Sequence, residues 1–109
     1  MKTVLAFGIA TVAACAVAVG VAYAANIVNV DQKGLAFSTA QLTVSKGDIV
    51  SFNNNDTTSH NILITGNGVS LNSGLQQPGV VYKAPMIKPG VYAVMCGIHP
   101  KMQMTITVQ

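Results

Sequence analysis

Charge is scarce in this chain. Six basic residues face three acidic ones, Asp31, Asp48 and Asp56, and charged side chains make up only 8% of 109 residues. The formal net charge is +3, of which Lys2 supplies one unit. That is far below the basic footprint of a nucleic-acid binder, and lysines this scattered serve ordinary solubility. Histidine is as sparse, with His60 and His99 the only two, and cysteine occurs only at Cys15 and Cys96. No helix-period pattern of useful length follows residue 24, and there are no repeats, low-complexity tracts or internal linkers. At this length the chain holds one domain at most.

The one long apolar run is N-terminal. Met1 and Lys2 give a positive start, Thr3 to Ala22 is almost wholly apolar, and Ala22-Tyr23-Ala24 offers small residues at the two positions a signal peptidase reads. Residues 1–24 are therefore expected to be a signal peptide, cleaved before Ala25, with export to a bacterial periplasm and a mature domain over 25–109. Two other readings stay open. If retained, a run of about 20 apolar residues could span a bilayer as an anchor. In addition, Val12-Ala13-Ala14-Cys15 resembles a lipobox that would lipidate Cys15, although the apolar run continues where a polar tether is expected. Membrane association follows only from retention or lipidation. After cleavage Cys96 has no partner for an internal disulfide, and a lone thiol in an oxidising compartment calls for an occupation. Metal ligation is one; an inert buried cysteine is the plain alternative.

The remainder reads as short alternating runs broken by turn residues, the pattern of an all-β sandwich or barrel. Gln41–Val44 is an expected strand, turned by Lys46-Gly47-Asp48. Ile49–Phe52 follows, with Val50 and Phe52 on one face. A polar loop over Asn53–Ser59 leads to a strand from His60 to Ile64, ended by a turn at Thr65-Gly66-Asn67-Gly68. A looser region with Gly74, Pro78 and Gly79 precedes short candidates at Val80–Lys83 and Met86-Ile87, then a turn at Lys88-Pro89-Gly90. Val91–Cys96 and Gln103–Val108 are the last strands. A mature chain of roughly 85 residues can bury a sufficient core with little surplus.

Chemistry concentrates in Cys96-Gly97-Ile98-His99-Pro100-Lys101-Met102 together with the distant His60. One thiolate, two imidazoles and a thioether are the donor set of a mononuclear blue-copper electron-transfer site. Thiolate and thioether suit Cu(I), whereas imidazole serves both oxidation states. Tetrahedral zinc could accept Cys and two His, but a thioether is a poor fourth ligand for it. Strand alternation puts Tyr92, Val94 and Cys96 on one face and Val91, Ala93 and Met95 on the other. With Cys96 inward, Tyr92 is core and its hydroxyl needs a partner. Gly97 is expected to supply an unusual backbone angle, and Pro100 fixes φ just after His99. Two methionines compete for the axial position. Met102 lies just before the last strand, where a ligand leaves the loop; Met104 is in register with Ile106 and Val108 and reads first as core.

These residues resemble the cupredoxins, the small type 1 copper proteins, and in particular their amicyanin and plastocyanin branches. The resemblance runs from about Ala40 to Val108 through Leu42-Thr43-Val44, Lys46-Gly47-Asp48, Val50-Ser51-Phe52-Asn53-Asn54, Ser59-His60-Asn61-Ile62, Pro89-Gly90-Val91-Tyr92 and the Cys96–Met102 loop. The loop spacing is similar to that of amicyanin; the longer spacing of plastocyanin would select Met104. The resemblance implies a Greek-key sandwich of about seven to eight strands. It implies one copper ion held by His60, Cys96 and His99 in a trigonal plane, with Met102 axial. It also implies that Asn61 ties the two ligand segments together, and that the edge of His99 lies in an apolar docking patch with Pro100. Plastocyanin's acidic patch is absent, so the redox partners of these relatives do not carry over.

The expected function is an exported, monomeric carrier that passes single electrons between larger redox proteins through transient contacts. It is expected not to be an enzyme, since two histidines are too few for the further sites of multicopper oxidases and nitrite reductases. The rival is a periplasmic copper chaperone or storage protein using the same ligands, and a metal-free structural sandwich is the third reading.

Overall fold

The computed structural model describes residues 25–109. The expected signal segment 1–24, with its anchor and Cys15 lipidation readings, lies outside the described residues. Eight strands form two sheets: β1 (Ile27–Gln32), β2 (Gln41–Val44), β3 (Ile49–Asn54), β4 (Ile62–Gly66), β5 (Val69–Asn72), β6 (Val81–Pro85), β7 (Gly90–Cys96) and β8 (Gln103–Val108). The smaller sheet has the order β1-β3-β6 and the larger β2-β8-β7-β4-β5. The pairs β1–β3 and β2–β8 are parallel, and the others are antiparallel.

The core follows from strand alternation. Val30, Val50, Phe52 and Ala84 come from the smaller sheet and meet Val44, Ile62, Ile64, Tyr92, Val94, Met104, Ile106 and Val108 from the larger. Val50 and Phe52 share a face as expected, and Tyr92 is buried with its hydroxyl donating to the Lys88 carbonyl. Residues of opposite parity on β7, such as Val91, face solvent. Turn chemistry sets the ends of the strands. The Asp48 amide donates to the Ser45 carbonyl at 2.9 Å across a turn in which Gly47 takes φ +95°. Asn67 and Gly68, both at positive φ, close the β4–β5 hairpin.

Three differences from the sequence expectations concern elements. The strands β1 and β5 are additional. His60 lies outside β4, forming an isolated bridge with Gln76 rather than a ladder position. Met86 and Ile87 are not a strand, because β6 ends at Pro85 and the chain then turns toward β7. The strand β1 and the His60 bridge depend on partners remote in sequence, β3 and Gln76, which local periodicity does not report; β5 pairs with the adjacent β4 but is short and only half-buried.

The site lies at one end of the sandwich. Cys96 is the last residue of β7, opposite Ile62 at the start of β4. The loop after β7 and the loop before β4 therefore emerge side by side.

Candidate metal centre

The fold brings His60, Cys96 and His99 together. The Cys96 Sγ is 3.6 Å from the Nδ1 of His60 and 3.6 Å from the Nδ1 of His99, and the two Nδ1 atoms are 3.2 Å apart. The centre of such a triangle is about 2 Å from each corner, an ordinary metal–nitrogen bond length. A first-row metal ion therefore fits among these atoms without rearrangement of the chain. Cys96 and His60 are fully buried, while His99 is partly exposed. The donors thus close the site from inside and leave one imidazole edge toward solvent.

The short loop is held by its own backbone. The Met102 amide donates to the His99 carbonyl at 2.9 Å, and the Cys96 amide donates to the Met102 carbonyl at 3.1 Å. These bonds bring the start of β8 back beside the end of β7 and carry Met102 to the site. Met102 is 2% exposed yet is not part of the hydrophobic core cluster; Met104, 4% exposed, belongs to it. Equal burial thus conceals different surroundings.

Asn61 joins the two ligand segments chiefly through its backbone. Its amide donates to the Cys96 Sγ at 3.3 Å, and its carbonyl accepts from the Gly97 amide at 2.8 Å. Its side-chain amide donates to the Asn72 Oδ1 and the Gly74 carbonyl, fastening the same residue to the loop after β5. Gly97 corrects an expectation, for it is not among the residues with positive φ. A Cβ at this position would instead collide with the Asn61 Oδ1 and press on Leu63. Glycine is favoured there by close approach of the Asn61 side chain, not by backbone angle.

Several polar residues around His60 were not singled out from the sequence. His60 exchanges both backbone hydrogen bonds with Gln76, at 2.9 and 2.7 Å. Buried Asn54 donates to the carbonyls of Thr58 and Gln76 and accepts from the Asp56 amide, which shapes the loop leading into His60. The Asp56 Oδ2 lies 2.9 Å from the His60 Nε2 and also accepts from the Leu35 amide at 2.9 Å. The Leu35 amide first, and then the His60 ring, lower the Asp56 pKa to about 2. The available signal was an acid four residues before the upstream histidine, but a polar loop offers no periodicity that would show the carboxylate turning inward.

Apolar side chains surround the exposed edge of His99. Leu35 is 52% exposed and Ile98 48%, and they share a shallow depression with His99, Pro100, Lys101 and Met102. Leu75, 64% exposed, adjoins Ile98 on the other side. Leu35, Leu75 and Ile98 thus gather large exposed apolar side chains at the end where His99 reaches the surface.

Comparison with known proteins agrees with this geometry. The family model for copper binding proteins of the plastocyanin/azurin family matches residues 24–109. Plastocyanins of Ulva arasakii and Ulva prolifera are each 32% identical over 90 residues, covering 72% of this chain and 92% of theirs. A reduced variant of amicyanin superposes with a TM-score of 0.71 at 23% identity, covering 80% of this chain and 86% of the other. A purple cupredoxin from Nitrosopumilus maritimus gives 0.67 at 24% identity, covering 75% and 99%. The donor set and the family together fit a single type 1 copper ion.

Proposed function

Because the chain belongs to the plastocyanin/azurin family of copper-binding proteins, we propose that it is an exported carrier of single electrons between larger redox proteins, with no catalytic reaction of its own. In this reading His60, Cys96 and His99 bind the ion and Met102 is the axial ligand. Bound copper supplies a one-electron couple between Cu(I) and Cu(II). The protein's task is to keep its donors in place across that change. Two features support this: the convergence of two Nδ1 atoms and one Sγ within 3.6 Å, and the hydrogen bonds that lock both ligand segments. The Asn61 amide, donating to the Cys96 sulfur, stabilises negative charge on it and orients the thiolate.

The partly exposed edge of His99, beside Leu35, Ile98 and Pro100, with Leu75 beyond Ile98, is the proposed route for the electron. An apolar patch of this size supports brief contacts with a donor and an acceptor rather than a permanent complex. Chaperone and storage sites must release their metal, whereas three donors held by a backbone-locked loop favour retention.

The test is an optical spectrum of the purified protein with copper added. An intense visible Cu(II)–thiolate band that bleaches on reduction and returns on oxidation is expected. Cys96→Ser is expected to remove the band and leave a folded sandwich, as judged by circular dichroism. A blue band persisting in that variant would refute the ligand assignment, and absence of the band in the wild-type protein would refute the carrier.

A further inference from the structure

We propose that Asp56 is the positioning residue of this centre: its carboxylate grips the Nε2–H of His60, turns the Nδ1 lone pair of that ring toward the metal position, and lowers the reduction potential of the bound ion. The proposal rests on the copper-carrier reading and adds to it a group that is not a ligand.

The geometry carries the argument. His60 presents Nδ1 to Cys96 and His99 and Nε2 to the Asp56 Oδ2, at 2.9 Å. A neutral imidazole has one N–H and one lone pair, and the nitrogen facing a carboxylate keeps the proton. Asp56 thus selects the tautomer whose Nδ1 can bind metal. His60 is fully buried, so its other nitrogen has no competing solvent partner. Among the described residues, His60 is also the only basic side chain within ion-pair distance of Asp56. No lysine among the described residues lies within that distance, so the negative charge acts through the ring on the metal. That charge favours Cu(II) over Cu(I).

Asp56 is itself built into place. Its amide is held by the side chain of Asn54, and its Oδ1 accepts from the Thr57 amide. The same Oδ2 that meets His60 accepts from Leu35, whose φ of +58° is uncommon for a residue with a side-chain branch. One oxygen atom therefore joins a buried imidazole to an apolar residue of the surface patch.

Asp56→Asn and Asp56→Ala separate the two effects. Asparagine can still accept from the Nε2–H through its Oδ1 but carries no charge; alanine does neither. At a fixed potential, Asp56→Asn is expected to lower the Cu(II)/Cu(I) ratio about tenfold, a rise of ~59 mV in the one-electron potential, with the visible band retained. Asp56→Ala is expected to raise the potential as well and to weaken Cu(II) binding about 10- to 100-fold. Nitrogen-15 NMR of the metal-free protein is expected to show the Nε2–H tautomer of His60 in wild type and Asp56→Asn, and a mixture in Asp56→Ala. Asp31→Asn removes an equal charge from an exposed acid that bonds only Asn53, Asn55 and its own segment, and is expected to shift the potential far less. If both Asp56 variants keep the wild-type potential, or shift it no more than Asp31→Asn does, the proposal fails while the carrier reading stands. If wild-type protein shows no Cu(II)–thiolate band, the carrier reading and the proposal fail together.

Discussion

Met102 and Met104 lie two residues apart with the same parity and nearly equal burial, and only their neighbours distinguish them. Met104 packs in the core cluster opposite Val94, whereas Met102 is tied by its backbone to His99 and Cys96. Met104→Leu conserves volume and is expected to cost less than about 1.5 kcal/mol, leaving the reduction potential unchanged. Met102→Leu removes a weak axial donor and is expected to raise the potential with the visible band kept. Voltammetry beside thermal denaturation separates the two, and the reverse pattern would move the axial position to Met104. The same residue scale shows why Asn61 matters: its amide meets the sulfur and its carbonyl meets Gly97, so two ligand segments depend on one peptide unit.

At the level of elements, two glycines test whether strand packing and the site are separable. Gly66, at the end of β4, lies against the Val91 carbonyl and the Tyr92 backbone, where a methyl group has no room. Gly97, just beyond β7, lies against the Asn61 side chain. Each alanine substitution is expected to cost about 1–3 kcal/mol by overpacking. Gly66→Ala should leave the copper spectrum unaltered, since the strain falls between β4 and β7 away from the ligands. Gly97→Ala should alter the spectrum, because the push on the Asn61 side chain is passed to the backbone amide of the same residue, which donates to the sulfur. Identical spectra for the two variants would show that the Asn61 contact does not shape the site.

The whole molecule divides into a closed two-sheet core and an end that carries ligands and apolar surface. Copper bound only by the folded state raises its stability, by about 2.7 kcal/mol at a free concentration 100-fold above the dissociation constant. For a domain this small that corresponds to a rise in Tm of roughly 10 °C or more. Calorimetry with and without copper measures it, and Cys96→Ser is expected to lose most of the gain. The surface patch has a separate readout. Ile98→Gln places a neutral polar side chain beside His99 and is expected to slow electron self-exchange between oxidised and reduced copies at least severalfold, with little change in potential. An unchanged exchange rate would remove Ile98 from the electron route.

Alternation and local spacing determined much by themselves. Gln41–Val44 and Gln103–Val108 coincide with β2 and β8, and the inward face of β7 follows from period-two burial, whereas in β3 Ser51 is buried between the inward Val50 and Phe52. The Cys96–Met102 cluster was legible because its members are close along the chain, and His60 because no other histidine was left to join His99. The strands β1 and β5 were hidden: β1 turns polar Gln32 inward beside Val30, and β5 is a four-residue half-buried edge with two polar members. Only the tertiary structure decided that Met104 packs within the core cluster and Met102 outside it, that Gly97 is favoured by close approach, and that Asp56 reaches His60. Each of these is set by groups that meet across strands. Periodicity along a chain reports which face a residue takes, but not which distant atom it meets there.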